Sequence, residues 1–304
     1  MKGVFRSAAL VLGLAVSATM ALAEEGISSS STSDVTDKDR MWSNFNREAA
    51  VVGDRRFWIE VRAMKLMNDQ EVSQQDVNDP TMNVKGPTLG LNGYPVKPFA
   101  QKNGSNVTSI DGGSFNLIGA YGIQNWEVGG NLPFVMQQQI SFATERPQED
   151  VNVGDLVLYG KYKLPIADHW AGGLGVEMSI PTGPESELLG SGDFGLNPFL
   201  STRYQSGRFG LGGHLGFLLN TGSQPQVFNW SVEGVVRGTS LFSFRTEITG
   251  RLFNDVGTTF NDVAILPGLD FNLTDNIIIR PEGLSHLSSD AINWGIGIGF
   301  VFTM

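Results

Sequence analysis

From residue 113 to the end of the chain, apolar and polar positions alternate with a period of two, the spacing of β-strands that present different faces to different surroundings. Strands are predicted at 113–123, 126–136, 153–164, 170–181, 193–204, 209–219, 229–237, 241–252, 263–273, 276–284 and 292–302. One parity is mostly apolar or glycine: Trp126, Val128, Leu132 and Phe134; Leu156, Leu158, Tyr162 and Leu164; Phe209, Leu211, Leu215 and Phe217; Phe242, Phe244, Ile248 and Leu252; Trp294, Ile296, Ile298, Phe300 and Phe302. The other parity carries charge: Glu127, Asp155, Lys161, Lys163, Glu177, Asp193, Arg203, Glu233, Arg237, Arg245, Glu247, Arg251, Asp270, Arg280 and Glu282, with His214 among them. An earlier strand over 56–66 sets Phe57, Ile59, Val61 and Ala63 against Trp58, Glu60, Arg62 and Met64, and makes about twelve strands.

Alternation alone fits a soluble sandwich as well as a membrane barrel. The connections separate the two. Short ones at 124–125, 165–169, 205–208, 238–240 and 274–275 interleave with longer ones at 67–112, 137–152, 182–192, 220–228, 253–262 and 285–291. Strands running up and down between two different surfaces produce that asymmetry, with tight periplasmic turns and long external loops. A soluble barrel of twelve strands could not fill its interior, since about eight already give an interior that side chains just fill. Turning the charges inward removes the difficulty, because a lumen holds water and paired charges while the apolar face meets lipid. The expected fold is therefore an all-β, transmembrane, antiparallel up-and-down barrel. The aromatics Phe300 and Phe302 near the chain end are the kind of terminal signal read by barrel-assembly machinery.

Residues 1–23 carry Lys2 and Arg6, an apolar run and a closing Ala21-Leu22-Ala23, the pattern of a cleaved secretory signal. Export to an outer membrane, with its lipid and lipopolysaccharide as surroundings, follows as the expected location. No later segment is apolar for long enough to cross as a helix. Removing the two signal cations takes the net charge from −10 to −12, which gives nucleic acid no attraction. The chain has no cysteine, so disulfides and thiolate metal sites are excluded. Residues 24–55 are polar, with a serine run at 28–31 and a weak helical spacing of Trp42, Phe45 and Ala49; they read as a periplasmic tail or a lumen plug. The barrel proper is expected over 56–304, with 67–112, broken by Gly86-Pro87, Asn92-Gly93 and Tyr94-Pro95, as its longest external loop.

The charged parity has two readings: a lining that selects solutes, or a mutually neutralising network that holds the barrel together. The three histidines, His169, His214 and His286, stand apart from one another, and no metal or cofactor is expected. His286-Leu287-Ser288 with Asn293 faintly resembles the arrangement of outer-membrane phospholipase, although Ser289-Asp290 follows rather than that family's Asn-Gly; catalysis is not expected. Asn254-Asp255 and Asn261-Asp262 lack the regular alternation of a calcium loop and read as turn formers.

Over 153–204, Gly154-Asp155-Leu156 opens a strand ending Lys161-Tyr162-Lys163-Leu164, a glycine-rich strand ends Ile180-Pro181-Thr182-Gly183, and a loop closes with Gly190-Ser191-Gly192-Asp193. This segment resembles a family of outer-membrane proteins described as meta-pathway phenol-degradation proteins or transporters. The resemblance implies a barrel that lets small hydrophobic or aromatic compounds across the outer membrane. The expected function is accordingly a narrow channel for an unidentified small solute; the alternatives are a structural or adhesion barrel with a closed lumen and, further off, a lipid hydrolase.

Overall fold

The computed structural model describes residues 49, 52, 54–67, 107–141, 148–183, 192–222, 226–255, 258–287 and 294–304, all within the compact unit 33–304. The expected signal peptide lies outside the described residues. The strands are β1 (Phe57–Met67), β2 (Val107–Ile123), β3 (Trp126–Ser141), β4 (Gln148–Val153), β5 (Leu156–Ala167), β6 (Trp170–Ile180) and β7 (Gly195–Ser206). They continue with β8 (Phe209–Asn220), β9 (Val227–Arg237), β10 (Phe242–Asp255), β11 (Thr258–Asn272), β12 (Ile277–His286) and β13 (Trp294–Thr303). Every pairing is antiparallel between neighbours, and the sheet closes on itself because β1 pairs with both β13 and β2 while β2 also pairs with β3.

The barrel has twelve strands and one extra. β4 pairs with the outer part of β3, Phe134 opposite Val153, and β5 with the inner part, Asn131 opposite Val157. The two therefore lie along one neighbour, separated by a bulge at Gly154 and Asp155. Three hydrogen bonds hold that bulge to the end of β6: Leu156 N donates to Thr182 Oγ1 at 2.9 Å, Thr182 Oγ1 donates to the Gly154 carbonyl at 2.9 Å, and Gly183 N donates to Asp155 Oδ1 at 3.1 Å. The Gly-Asp-Leu and Pro-Thr-Gly motifs are thus two halves of one clasp.

The short connections are tight turns, with Gln124 at φ 55° between β2 and β3 and Gly207 at φ 55° between β7 and β8. Strands outrun the sequence reading at the opposite end. β10 reaches Asp255 and β11 begins at Thr258, so most of the expected 253–262 loop is paired strand, and β2 takes in 107–112 from the expected long loop. Backbone pairing needs no apolar side chains, and it persists where the alternation fades. Whether 68–106 contains further strands lies outside the described residues.

The outward parity is the apolar one. Phe209, Trp126, Leu200 and Ile296 are 64%, 54%, 58% and 55% exposed, which a soluble protein would have to cover. Beside the short turns the outward rings pack in tilted pairs, Phe57 with Tyr121 at 4.6 Å, Trp126 with Tyr162 at 4.8 Å and Trp170 with Tyr204 at 4.9 Å. Phe242, Phe271 and Phe302 extend the row. Such a girdle marks the level where a barrel leaves the hydrocarbon.

One pairing is incomplete. Between β11 and β12 one register holds throughout, but the ladder has gaps between Ile265↔Ser285, Gly268↔Glu282 and Phe271↔Ile279, where Pro267 and Pro281 fall. Each proline withholds an amide from the ladder. Pro281→Val restores one donor on the lipid-facing parity, and should raise unfolding stability by about 1 kcal/mol, read from urea unfolding of the detergent-folded protein against wild type.

Candidate functional site

Twelve strands place alternate side chains of each strand inside, and the inward parity on β9, β10, β11, β12 and β1 is charged. Glu233 Oε1 lies 3.5 Å from Arg245 Nη1. Arg245 donates from Nε to Asp270 Oδ2 at 2.6 Å, and Asp270 Oδ1 accepts from Arg280 Nε at 3.1 Å. Arg280 Nη1 reaches Glu60 Oε2 at 3.4 Å, and Glu60 Oε1 accepts from Arg62 at 2.8 and 3.0 Å. Arg62 Nε then stands 3.9 Å from Glu282 Oε1. Four carboxylates and three guanidiniums form one chain along the wall. The Arg280 guanidinium also lies 5.2 Å from the centre of the Trp58 ring, a cation–π contact.

The chain crosses β13 and β8 at positions that contribute no inward side chain. Gly299 on β13 is the register partner of both Arg62 and Arg280, and Arg280 reaches Glu60 over its bare backbone. A Cβ at Gly297 would stand 2.8 Å from Glu282 Oε1. Gly212 likewise separates Arg203 from Glu233. Glycine at these positions serves close approach rather than an unusual backbone conformation.

The facing wall is polar but less charged. Glu127 on β3 accepts from the Tyr159 hydroxyl at 2.7 Å and pairs with Lys161 Nζ at 3.3 Å. Asn197 Nδ2 donates to Glu177 at 2.5 Å, Asn229 Nδ2 donates to Asn197 at 3.2 Å, and His214 bonds Ser231 at 2.7 Å and Asn229 at 3.2 Å. Two residues ahead of β1 enter the same space. Val52 N donates to Glu127 Oε2 at 2.6 Å, and Val52 packs with Trp58, Ile118, Ala120, Tyr159, Ile278 and Val301. Ala49 is buried, and Gly173 is one of its neighbours. The helical spacing expected over 42–49 otherwise falls outside the described residues.

Of the residues expected to line the lumen, Glu127, Lys161, Glu177, Arg203, His214, Glu233, Arg245, Glu247, Arg251, Asp270, Arg280 and Glu282 are buried on the inward parity. Asp155, Lys163, Asp193 and Arg237 are partly exposed, toward the strand ends, with Asp155 in the bulge clasp. Glu60, Arg62 and Trp58 join the wall although none was singled out as a site; the charged parity of β1 was the signal that could have found them. His286 ends β12, while Ser288 and Asn293 lie outside the described residues. No group of metal-binding side chains occurs among the described residues.

No family model and no curated protein matches this sequence. Solved structures do share its fold. The COG4313 outer membrane channel from Pseudomonas putida F1 superposes with a TM-score of 0.62 at 12% identity, covering 87% of this chain and 100% of that one. The NanC porin gives 0.49 at 12% identity over 80% and 98%, and the CymD monoaromatic hydrocarbon channel 0.44 at 8% over 82% and 88%. The fold assignment rests on the first. This chain has the architecture of an outer-membrane β-barrel.

Arg280 sits at the middle of the charged chain with carboxylates on two sides. Arg280→Met leaves Glu60 and Asp270 without it, and should cost about 3–5 kcal/mol in urea unfolding. A loss below about 1 kcal/mol would show instead that water screens the wall as it does a surface pair.

Proposed function

We propose that the protein is an outer-membrane channel for small solutes, hydrophobic or aromatic compounds among them. The observation that carries this reading is a closed barrel whose apolar face is outside and whose inward face holds a continuous wall of charge. The architecture shared with a protein described as an outer membrane channel supports the reading, as does the resemblance of 153–204 to a transporter family. Export through a cleaved signal at 1–23, folding by barrel-assembly machinery and residence among lipopolysaccharide belong to the same proposal.

Within it, residues 24–53 act as a plug. The amide of Val52 on Glu127 and the burial of Ala49 support this reading, since both residues precede β1 and lie against inward-facing side chains. The alternative of a closed structural barrel draws on one specific observation, the mutual neutralisation of the wall charges.

Planar-bilayer recording separates the two. Protein lacking residues 24–53 should give larger single-channel steps than the full-length protein. Absence of steps from both, with each shown to be folded by its heat-dependent gel migration, would overturn the channel reading in favour of the closed barrel.

A further inference from the structure

The junction of β11 and β12 lacks donors where a sheet in lipid most needs them. The Val263 carbonyl accepts from Leu287 N at 2.8 Å and the Ile277 carbonyl from Leu273 N at 2.9 Å, so the odd-numbered residues of both strands aim their backbone groups at this junction. Pro267 and Pro281 are odd-numbered, and neither has an amide hydrogen to give. Between Ile265↔Ser285 and Phe271↔Ile279, Gly268↔Glu282 is the one pair retained. Pro198 takes one amide from the β7–β8 junction, and Pro165 falls at a register shift. Among the described residues, β11–β12 is the junction that loses two.

The two gaps differ in what spans them. At the gap that takes in Pro281, Arg280 Nε donates to Asp270 Oδ1 at 3.1 Å and bridges the strands on the lumen side. At the gap that takes in Pro267, the lumen side holds Leu266 on β11 and Leu284 on β12, buried with Met64 and Ala264 in one apolar cluster. On the lipid side the Pro267 ring lies over Gly283, where a Cβ would stand 3.4 Å from Pro267 Cγ. Pro267 precedes Phe271 of the aromatic row by four residues, about 14 Å along a tilted strand and inside an apolar band about 25 Å tall. The wall is therefore shut here by apolar contact in place of hydrogen bonds, with apolar surface on both of its faces.

We propose that the Pro267 gap is a side exit, through which a flat, uncharged hydrophobic solute passes from the lumen into the hydrocarbon of the membrane. The proposal rests on the channel reading for how a solute reaches the lumen, and it adds where that solute leaves. Parting the strands at this gap gives up contacts among Pro267, Gly283, Leu266 and Leu284 that a hydrophobic solute replaces. At an unbroken ladder the same movement would strip amides and carbonyls of their partners in lipid. Gly268↔Glu282 and the Asp270–Arg280 pair hold the strands on one side of the gap, and Ile265↔Ser285 and Ala264↔His286 hold them on the other. The opening is thereby confined to a slit about 10 Å long, bordered by hydrocarbon, which offers an ion or a sugar no partner.

N-phenyl-1-naphthylamine, which fluoresces in hydrocarbon and is held off by intact lipopolysaccharide, reads the exit in cells carrying the full-length protein. Wild type should bring the probe in faster than cells without the protein. Pro267→Val/Pro281→Val returns both amides and should slow that entry about tenfold. The chain has no cysteine, so Ile265→Cys/Ser285→Cys sets one removable disulfide across register partners at the rim of the gap. Closing it should abolish the gain in entry, and reductant should restore it; it decides the matter if the valine variant does not show the folded gel migration. A control bridge, Val236→Cys/Phe244→Cys between register partners on β9 and β10, should leave entry as it is. Entry unchanged with the 265–285 bridge closed, or lost equally with the control bridge, would overturn the proposal. Planar-bilayer steps report the channel reading separately: steps that persist while the probe enters no faster than in cells without the protein overturn the exit and leave the channel standing.

Discussion

Backbone amides and carbonyls have no water to bond with in hydrocarbon, and the rest of this structure answers to that constraint. A sheet in lipid can leave no edge. The pairing of β1 with β13 on one side and β2 on the other closes the ring, and closure forces every strand to have one face in lipid and one in the lumen. The places where an amide is withheld stand out for that reason. Pro267 and Pro281 face the same pairing, and Pro165 falls where the β5–β6 register shifts; proline is accommodated at irregularities and interrupts the ladder elsewhere.

Closure also decides how the first and last strands are fastened inside. Glu60 and Arg280 are 220 residues apart in sequence and meet over β13. They can do so because the intervening inward position is Gly299, so the sheet is joined at its seam twice, by the ladder outside and by an ion pair across the lumen wall. The same device recurs at Gly212 and Gly297. Small residues on the inward face thus convert strand-by-strand charges into one connected chain, and it is that chain rather than any single residue that gives the lumen its character.

Much of this was legible in the sequence because a period of two is exact in a strand, and a charge that falls on the wrong parity cannot be hidden in lipid. The inward placement of Glu127, Lys161, Arg245, Asp270 and Arg280 follows from that alone. The bulge at Gly154 was not legible: it changes the strand phase by one residue, and the motif around it reads as the opening of a regular strand until Thr182 is seen bonded to it. Nor were the ends of β10 and β11, where polar residues pair as strand. The wall's members on β1, Glu60 and Arg62, were visible as an alternating pair, yet their role depends on Arg280 and Glu282, which only closure brings near.

The chemistry of the wall bears on what such a lumen favours. A hydrated ion entering it must compete with pairs already made at 2.6–3.1 Å, and displacing one partner of a buried pair leaves the other charge exposed to a low-dielectric surrounding. A freely conducting pore for salts would be better served by charges of one sign facing an open water column. Here the neutralised chain lies between two apolar clusters, Val52 to Val301 nearer the short turns and Met64 to Leu284 nearer the other end. That layering leaves the inward face apolar on both sides of the charged chain, so the chain is bounded by surfaces that hold no competing polar partner for its pairs.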